Sequence, residues 1–172
     1  MKFYLHKYLS LISFLIIPLV IFWNPSWLSL MGYRAYWPIF WLLPWALIHG
    51  PFKSMLVGFF LGFILDTINA DSYTQIPGLM ICGFWFGKIG KYNHFNYRPL
   101  HFGLTAALGS LICGIIYFGQ IVVKLLLENS TLWIFSYGVQ NIFTKVLLTS
   151  LLAPVFCKWL YFWFSNKYKF KI

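Results

Sequence analysis

Residues 57–66, Val-Gly-Phe-Phe-Leu-Gly-Phe-Ile-Leu-Asp, contain the pattern from which the fold of this chain can be deduced. Gly58, Gly62 and Asp66 recur every four residues, so a helix would place them along one face. Two glycines on such a face allow a neighbouring helix to approach closely, as small residues do in membrane helix packing. The pattern therefore predicts a close helix contact that ends in a carboxylate. At both glycines we expect leucine to separate the helices and alanine to be tolerated.

Asp66 is one of only three acidic residues in the chain, and its role has two interpretations. In the first, the carboxylate points into the helix contact, because an ionisable group inside a membrane segment needs a partner or a task. In the second, it lies just within the membrane interface and is solvated by water. Asn69 and Asp71 follow closely and favour a helix end at this point. The sequence leaves both interpretations open.

The composition indicates an integral membrane protein. Of the 172 residues, 60% are hydrophobic and 9% are charged. A soluble domain of this size could not bury so much apolar surface. The length allows one compact bundle and no sizeable soluble domain, so we predict a single transmembrane domain over residues 1–172.

Apolar runs separated by turns and polar segments predict an all-α bundle of about six transmembrane helices. A second glycine pair, Gly83 and Gly87, recurs four residues apart in the fourth of these runs. The fifth run is long enough to be tilted or to project beyond the bilayer. The predicted spans are residues 8–23, 36–49, 54–68, 76–87, 101–127 and 139–164.

The distribution of basic residues predicts the orientation. The chain has 13 Lys and Arg against 3 Asp and Glu, a net charge of +10. With six spans, nine of these cations lie on the side of both termini and two lie on the opposite side. Cytoplasmic loops are enriched in Lys and Arg, so we expect both termini in the cytoplasm. The nine are Lys2, Lys7, Lys53, Lys88, Lys91, Arg98, Lys167, Lys169 and Lys171, and the two are Arg34 and Lys124.

The residues that catalysis or metal binding requires are scarce. The four histidines are distributed along the chain, and no H-E-x-x-H, G-x-S-x-G, P-loop or C-x-x-C motif occurs. The three cysteines fall in apolar runs without metal-ligand spacing, which favours buried free thiols. We therefore expect no enzymatic activity, no catalytic residues, no cofactor and no metal. The basic residues flank apolar runs, which indicates contact with the lipid bilayer and not with nucleic acid.

A small-molecule transporter is harder to exclude. Six helices with glycine-lined contacts and one embedded acid could enclose a pocket. The spans, however, lack the arrays of polar residues that a substrate path generally needs.

The third predicted span resembles a known family. Gly58-Phe59-x-x-Gly62-Phe63-x-x-Asp66, followed after a polar turn by Gly78 and another apolar helix, is similar to the rod shape-determining protein MreD family. The length, the six spans and the cytoplasmic termini are similar too. The sharpest part of the resemblance covers residues 58–78. Carried over residue by residue, it assigns helix packing and interaction roles to Gly58, Gly62, Asp66 and Gly78.

This resemblance implies a non-enzymatic scaffold subunit of the bacterial cell-elongation machinery, which determines rod shape and synthesises peptidoglycan. Such a subunit lies in the inner membrane with an MreC-like protein, and through it with MreB, RodA and a penicillin-binding transpeptidase. The family's fold is also similar to the substrate-binding subunits of vitamin-type transporters. A transporter subunit is therefore the alternative function, and the two differ in whether a cavity holds a small ligand.

Overall fold

The computed structural model describes residues 29–30, 33–69, 73–91, 98–128 and 133–169. Two-residue strands, β1 (Ser29–Leu30) and β2 (Tyr33–Arg34), pair antiparallel. The rest of the described chain is built on five helices. These are α1 (Trp37–His49), α2 (Pro51–Asn69), α3 (Ile76–Lys91), α4 (Pro99–Glu128) and α5 (Trp133–Lys169).

A one-residue turn joins α1 to α2. Gly50 has a positive φ of 83°, which glycine adopts without steric cost, and its N–H donates to the Ala46 carbonyl. Pro51 then begins α2, where its missing N–H is not needed. The Ser54 hydroxyl is fully buried and donates to the Gly50 carbonyl at 2.6 Å. The two helices therefore fold back on each other with the polar groups of the turn paired.

Helix α1 lies at the centre of the bundle and contacts each of the other four helices. Ile39, Leu42, Leu43 and Ala46 are completely buried. A helix that is apolar all round can be surrounded by protein or by lipid, and most of the residues of α1 are buried by the protein. The core of the protein is thus assembled around a helix of 13 residues, about 20 Å long.

Pro44 lies inside α1 and removes the N–H that would bond to the Phe40 carbonyl four residues earlier. The thiol of Cys157, on α5, donates to this carbonyl with a sulfur–oxygen distance of 3.6 Å. The Phe40 ring also stacks on Phe156 with a centroid separation of 5.7 Å. A side chain of α5 therefore satisfies the acceptor that Pro44 leaves in the buried helix.

The helices alternate in direction, and the contacts between them define two ends of the bundle. Gly62 of α2 lies against Ile76 of α3, and Gly138 of α5 lies against Phe118 of α4, so both pairs are antiparallel. Tyr36, just before α1, reaches Gln75, just before α3. We call the end that carries Tyr36, Gln75 and the connection from α2 to α3 the loop end.

Large apolar side chains cover the outer faces of α2, α4 and α5. They recur every three or four residues, so each set forms a stripe along its helix. Stripes of this size suit the hydrocarbon of a bilayer and not water. On α4 the stripe is Leu100, Leu104, Leu108, Leu111 and Ile115, and on α5 it is Val139, Phe143, Leu147, Leu151, Val155, Trp159 and Phe162.

Three of the five described helices contain a segment long and apolar enough to cross a membrane: Pro51–Ile68, Pro99–Lys124 and Gly138–Phe164. The predominantly helical fold and these three segments are compatible with a multi-pass membrane protein. The first predicted span, 8–23, lies outside the described residues, so the count of six stays a prediction. Of the two shorter helices, α1 begins one residue after the predicted span 36–49, and α3 extends the span 76–87 to Lys91. Helix α5 begins at Trp133, six residues before the predicted span 139–164, and continues to Lys169.

Candidate functional site

The backbones of α2 and α3 meet at the glycines of α2. A Cβ atom added to Gly58 would overlap the Leu79 carbonyl oxygen and lie 2.8 Å from the carbonyl carbon. A Cβ added to Gly62 would lie 2.6 Å from the Cα of Ile76. Both glycines therefore lie where no side chain fits, and they bring the two backbones into direct contact.

The glycines of α3 make an equivalent contact with the backbone of α2, further along the helix pair. A Cβ on Gly83 would overlap the Ser54 carbonyl, and one on Gly87 would lie 2.6 Å from the Cα of Pro51. The interface is thus lined by glycine from both partners, over about three turns of each helix. Close approach along this length fixes the register of α2 against α3.

Gly78 has a different position from the other three residues that the resemblance singled out. It faces α4, where an added Cβ would lie 3.2 Å from both the Cα and the sulfur of Cys113. Gly58, Gly62 and Asp66 belong to the contact between α2 and α3, whereas Gly78 belongs to the contact between α3 and α4. The structure therefore distributes the motif over two neighbouring helix pairs.

Asp66 closes the contact between α2 and α3 at the loop end. Its oxygen Oδ1 accepts a hydrogen bond from the backbone N–H of Gln75 at 2.8 Å. The second oxygen, Oδ2, is buried and has no hydrogen-bond partner among the described residues. The side chain itself is only partly buried. One carboxylate oxygen thus holds the start of α3, and the other is left without a donor there.

A chain of hydrogen bonds continues from Asp66 across the loop end. The Gln75 side-chain oxygen accepts from the Tyr36 hydroxyl at 2.9 Å, and the Tyr36 N–H donates to the Thr149 hydroxyl at 3.1 Å. Four elements are joined in this way: α2, the start of α3, the start of α1 and the middle of α5. No pattern in the sequence connects Asp66 or Gln75 to Tyr36 or Thr149.

Gln120 of α4 holds the connection between α2 and α3 from a second side. Its carboxamide accepts from the Thr74 N–H and donates to the Thr74 carbonyl, both at 2.9 Å. This pairing resembles the way a neighbouring strand would satisfy a backbone residue. The segment before α3 is therefore anchored to two different helices.

Next to these hydrogen bonds lies a cavity of about 270 Å³, between α4, α5 and the start of α3. Its polar lining residues include Tyr36, Gln75, Asn141 and Lys145, and its apolar lining comes from the facing sides of α4 and α5. Among the described residues that line it, Lys145 is the only one with a charged side chain, and no carboxylate is present. We call this space the loop-end cavity.

Sequence analysis missed the loop-end cavity, although part of it could have been found. Asn141, Lys145 and Thr149 recur every four residues in an otherwise apolar helix, which places them on one face. A polar stripe in an apolar span is itself a sign of an internal site. The contribution of Tyr36 and Gln75, from distant parts of the chain, had no local sign.

The described residues contain no group of three or more His, Cys, Asp or Glu side chains that could hold a metal ion. Cys82 and Cys113 lie with their sulfurs 3.5 Å apart and are free thiols, and Cys82 also donates to the Gly109 carbonyl at 3.3 Å. These contacts pack α3 against α4. The prediction of free buried thiols is confirmed for all three cysteines.

Comparison with known proteins adds no relative. The chain matches no family model, no curated protein and no solved structure.

Proposed function

We propose that this protein is a non-enzymatic scaffold subunit of the bacterial cell-elongation machinery, embedded in the inner membrane with both termini in the cytoplasm. The proposal starts from the resemblance to the MreD family in residues 58–78. The observation that supports it best is the role of those residues in the fold. Gly58 and Gly62 bring α2 against α3, and Asp66 holds the N–H of Gln75. All three contribute to the internal framework of the bundle.

A scaffold in a membrane needs surfaces that partner helices can contact. The apolar stripes on α4 and α5 offer such surfaces, and exposed Phe143 and Leu151 are each about two-thirds accessible. In lipid, association between helices depends on packing and on interhelical hydrogen bonds, so the shape of these faces would determine the partner. The partners implied by the resemblance are an MreC-like protein, MreB, RodA and a penicillin-binding transpeptidase.

Affinity purification tests the proposal. The protein is tagged, extracted in mild detergent and recovered with its bound partners, which mass spectrometry identifies. An unrelated membrane protein of similar size with the same tag serves as the control. Enrichment of cell-elongation proteins over that control supports a scaffold. Enrichment of an ATPase module without them would point to a transporter.

The alternative, a substrate-binding subunit of a vitamin-type transporter, is favoured by one observation, the loop-end cavity. Its volume of about 270 Å³ is just below the usual range of small-ligand pockets, about 300–1,000 Å³. The two functions would use the same fold differently. Uptake of a small ligand that is lost with this protein would establish the alternative.

A further inference from the structure

The end of the bundle opposite the loop end is rich in exposed positive charge. Neighbouring helices run antiparallel there, with Gly87 of α3 against Pro51 of α2 and with Gly103 of α4 against Pro154 of α5. We call this the basic end, because all the exposed Lys and Arg side chains that the structure describes lie toward it: Lys53, Lys88, Lys91, Arg98 and Lys158. Asp66, the one acid whose side chain is described, lies at the loop end.

Helix α3 presents a stripe that is apolar along its length and basic where the helix ends. Four exposed residues recur at intervals of three or four and so lie along one face: Ile81, Phe84, Lys88 and Lys91. Residues three apart on a helix are neighbours, so the two lysines place two cations side by side. Like charges at this spacing repel each other. An anion that contacts both lysines would relieve the repulsion.

The neighbouring face of α2 is apolar and exposed. Its stripe consists of Phe52, Leu56, Phe59 and Phe63. The Phe52 ring, which is 75% exposed, contacts the Phe84 ring edge to face with 6.3 Å between the centroids, so the stripes of α2 and α3 meet one turn before Lys88. From Phe52 to Phe63 the stripe is about 16 Å long, close to half of a hydrocarbon core of about 30 Å. It therefore matches the length of the acyl chains in one leaflet.

We propose that this face of α2 and α3 binds one anionic phospholipid, with its phosphate at Lys88 and Lys91 and its acyl chains along the two apolar stripes. Charge complementarity favours a lipid of net negative charge, because a zwitterionic headgroup brings its own cation next to the two lysines. The adjoining stripes favour a lipid over a soluble anion. The inference goes beyond the scaffold role and does not depend on it, since a transporter subunit with this fold has the same face.

The first test measures lipid affinity. The full chain is purified in detergent, freed of lipid and titrated with phosphatidylglycerol or with phosphatidylcholine of the same acyl chains. Native mass spectrometry gives the dissociation constant of the first bound lipid. The proteins compared are the wild type, Lys88→Met, Lys88→Met combined with Lys91→Met and, as the matched control, Lys158→Met. Lys158 is exposed on α5, so the control loses the same charge outside the proposed site.

We expect the wild type and Lys158→Met to bind phosphatidylglycerol about tenfold or more tightly than phosphatidylcholine. Each lysine removed from α3 should weaken the binding of phosphatidylglycerol about fivefold, which is about 1 kcal/mol, and should leave the binding of phosphatidylcholine unchanged. Equal affinity of the wild type for the two lipids would overturn the proposal. A loss in Lys158→Met as large as the loss in the double variant would overturn it too, since the overall charge would then explain the preference.

Photo-cross-linking of the wild type locates the lipid without any substitution, so it decides the question even if the variants fold poorly. The protein is placed in phosphatidylcholine nanodiscs that contain a small share of phosphatidylglycerol or phosphatidylcholine with a diazirine in one acyl chain. Mass spectrometry identifies the labelled residues. We expect the phosphatidylglycerol analogue to label α2 and α3, around Leu56 and Ile81, more strongly than the phosphatidylcholine analogue does. Equal labelling of these helices by the two analogues, or a second copy or partner helix that excludes both, would contradict the proposal.

Discussion

The Asp66 carboxylate and the Gln75 backbone are joined across the connection between α2 and α3, with 2.8 Å between Oδ1 and the amide nitrogen. This hydrogen bond fixes the start of α3 on the end of α2. The glycine contact at Gly58 and Gly62 continues from it toward the opposite end of the bundle. Residues 58–66 therefore provide both the glycine contact with α3 and the hydrogen bond at its end.

Substitutions of Asp66 should distinguish the contribution of its hydrogen bond to folding from the contribution of its charge. Asp66→Asn retains a carbonyl oxygen that can accept from the Gln75 N–H, so we expect a folded yield close to that of the wild type. Asp66→Leu leaves that N–H without its acceptor, which costs about 1–3 kcal/mol. Thr67→Val is the control, because the Thr67 hydroxyl is exposed and, among the described residues, bonds within its own helix to the Ile64 carbonyl. The yield of monodisperse protein in detergent reports the folding of all three variants. An equal loss of yield in Asp66→Asn and Asp66→Leu would show that the charge, and not the hydrogen bond, stabilises the fold.

The glycine contact gives a prediction that corrects the sequence-based expectation. From the spacing alone, alanine was expected to be tolerated at Gly58 and Gly62. The structure places backbone atoms of α3 where the new Cβ would lie, so the helices must move apart even for alanine. Overpacking of this kind costs about 1–3 kcal/mol, and leucine should be worse.

Gly119→Ala is the matched control for these substitutions. Gly119 is also helical, but nothing lies within 4 Å of the position of its Cβ. We expect Gly58→Ala and Gly62→Ala to lower the thermal unfolding temperature and Gly119→Ala to leave it unchanged or higher, since alanine favours helix. If all three alanine variants unfold alike, α2 and α3 do not make the contact described.

Pro44 and Cys157 should be energetically coupled. Cys157→Ala removes the thiol that donates to the Phe40 carbonyl, at a cost of roughly 0.5–1 kcal/mol. Pro44→Ala supplies a backbone N–H to the same carbonyl, so Cys157→Ala should be less harmful in that background. A double-mutant cycle of unfolding free energies measures the difference. Purely additive effects would show that the thiol does not serve this acceptor.

The orientation can be tested at the C-terminus. The excess of Lys and Arg on one side predicts that both ends are cytoplasmic. A reporter that is active only in the periplasm should therefore remain silent when it is fused after Ile172. The same reporter inserted after Asp71 should be active, because that connection is predicted to lie on the opposite side. A signal from the first fusion and silence from the second would invert the topology.

The sequence predicted the local features of the fold better than the global ones. Helical segments around Gly58 and Gly62 follow from the apolar run and the four-residue spacing, which are local properties. The central position of α1 could not be deduced, because an apolar helix reads the same whether it faces lipid or protein. The turn at Gly50 and Pro51 can be predicted from the sequence, since glycine tolerates a positive φ and proline is favoured at the first position of a helix.

Only part of the candidate site could be predicted from the sequence. Asp66 stands out because acids are rare in this chain, whereas Tyr36 and Thr149 acquire their roles only when distant segments meet. Lys145 and Asn141 can be recognised in the sequence as two polar residues one turn apart in an apolar helix. Whether they line a cavity depends on how α5 packs against α4, and no local sequence pattern predicts that packing.

Depletion of the protein in its own host tests the scaffold proposal most directly. Cell width and the rate of incorporation of labelled peptidoglycan precursor are followed as the protein is depleted. The wild-type protein or the Asp66→Asn variant is then expressed from a second copy of the gene. We predict that cells widen, that incorporation along the side wall falls, and that both genes restore the wild-type values. Unchanged width and incorporation, together with lost uptake of a small molecule that Asp66→Asn fails to restore, would contradict a scaffold.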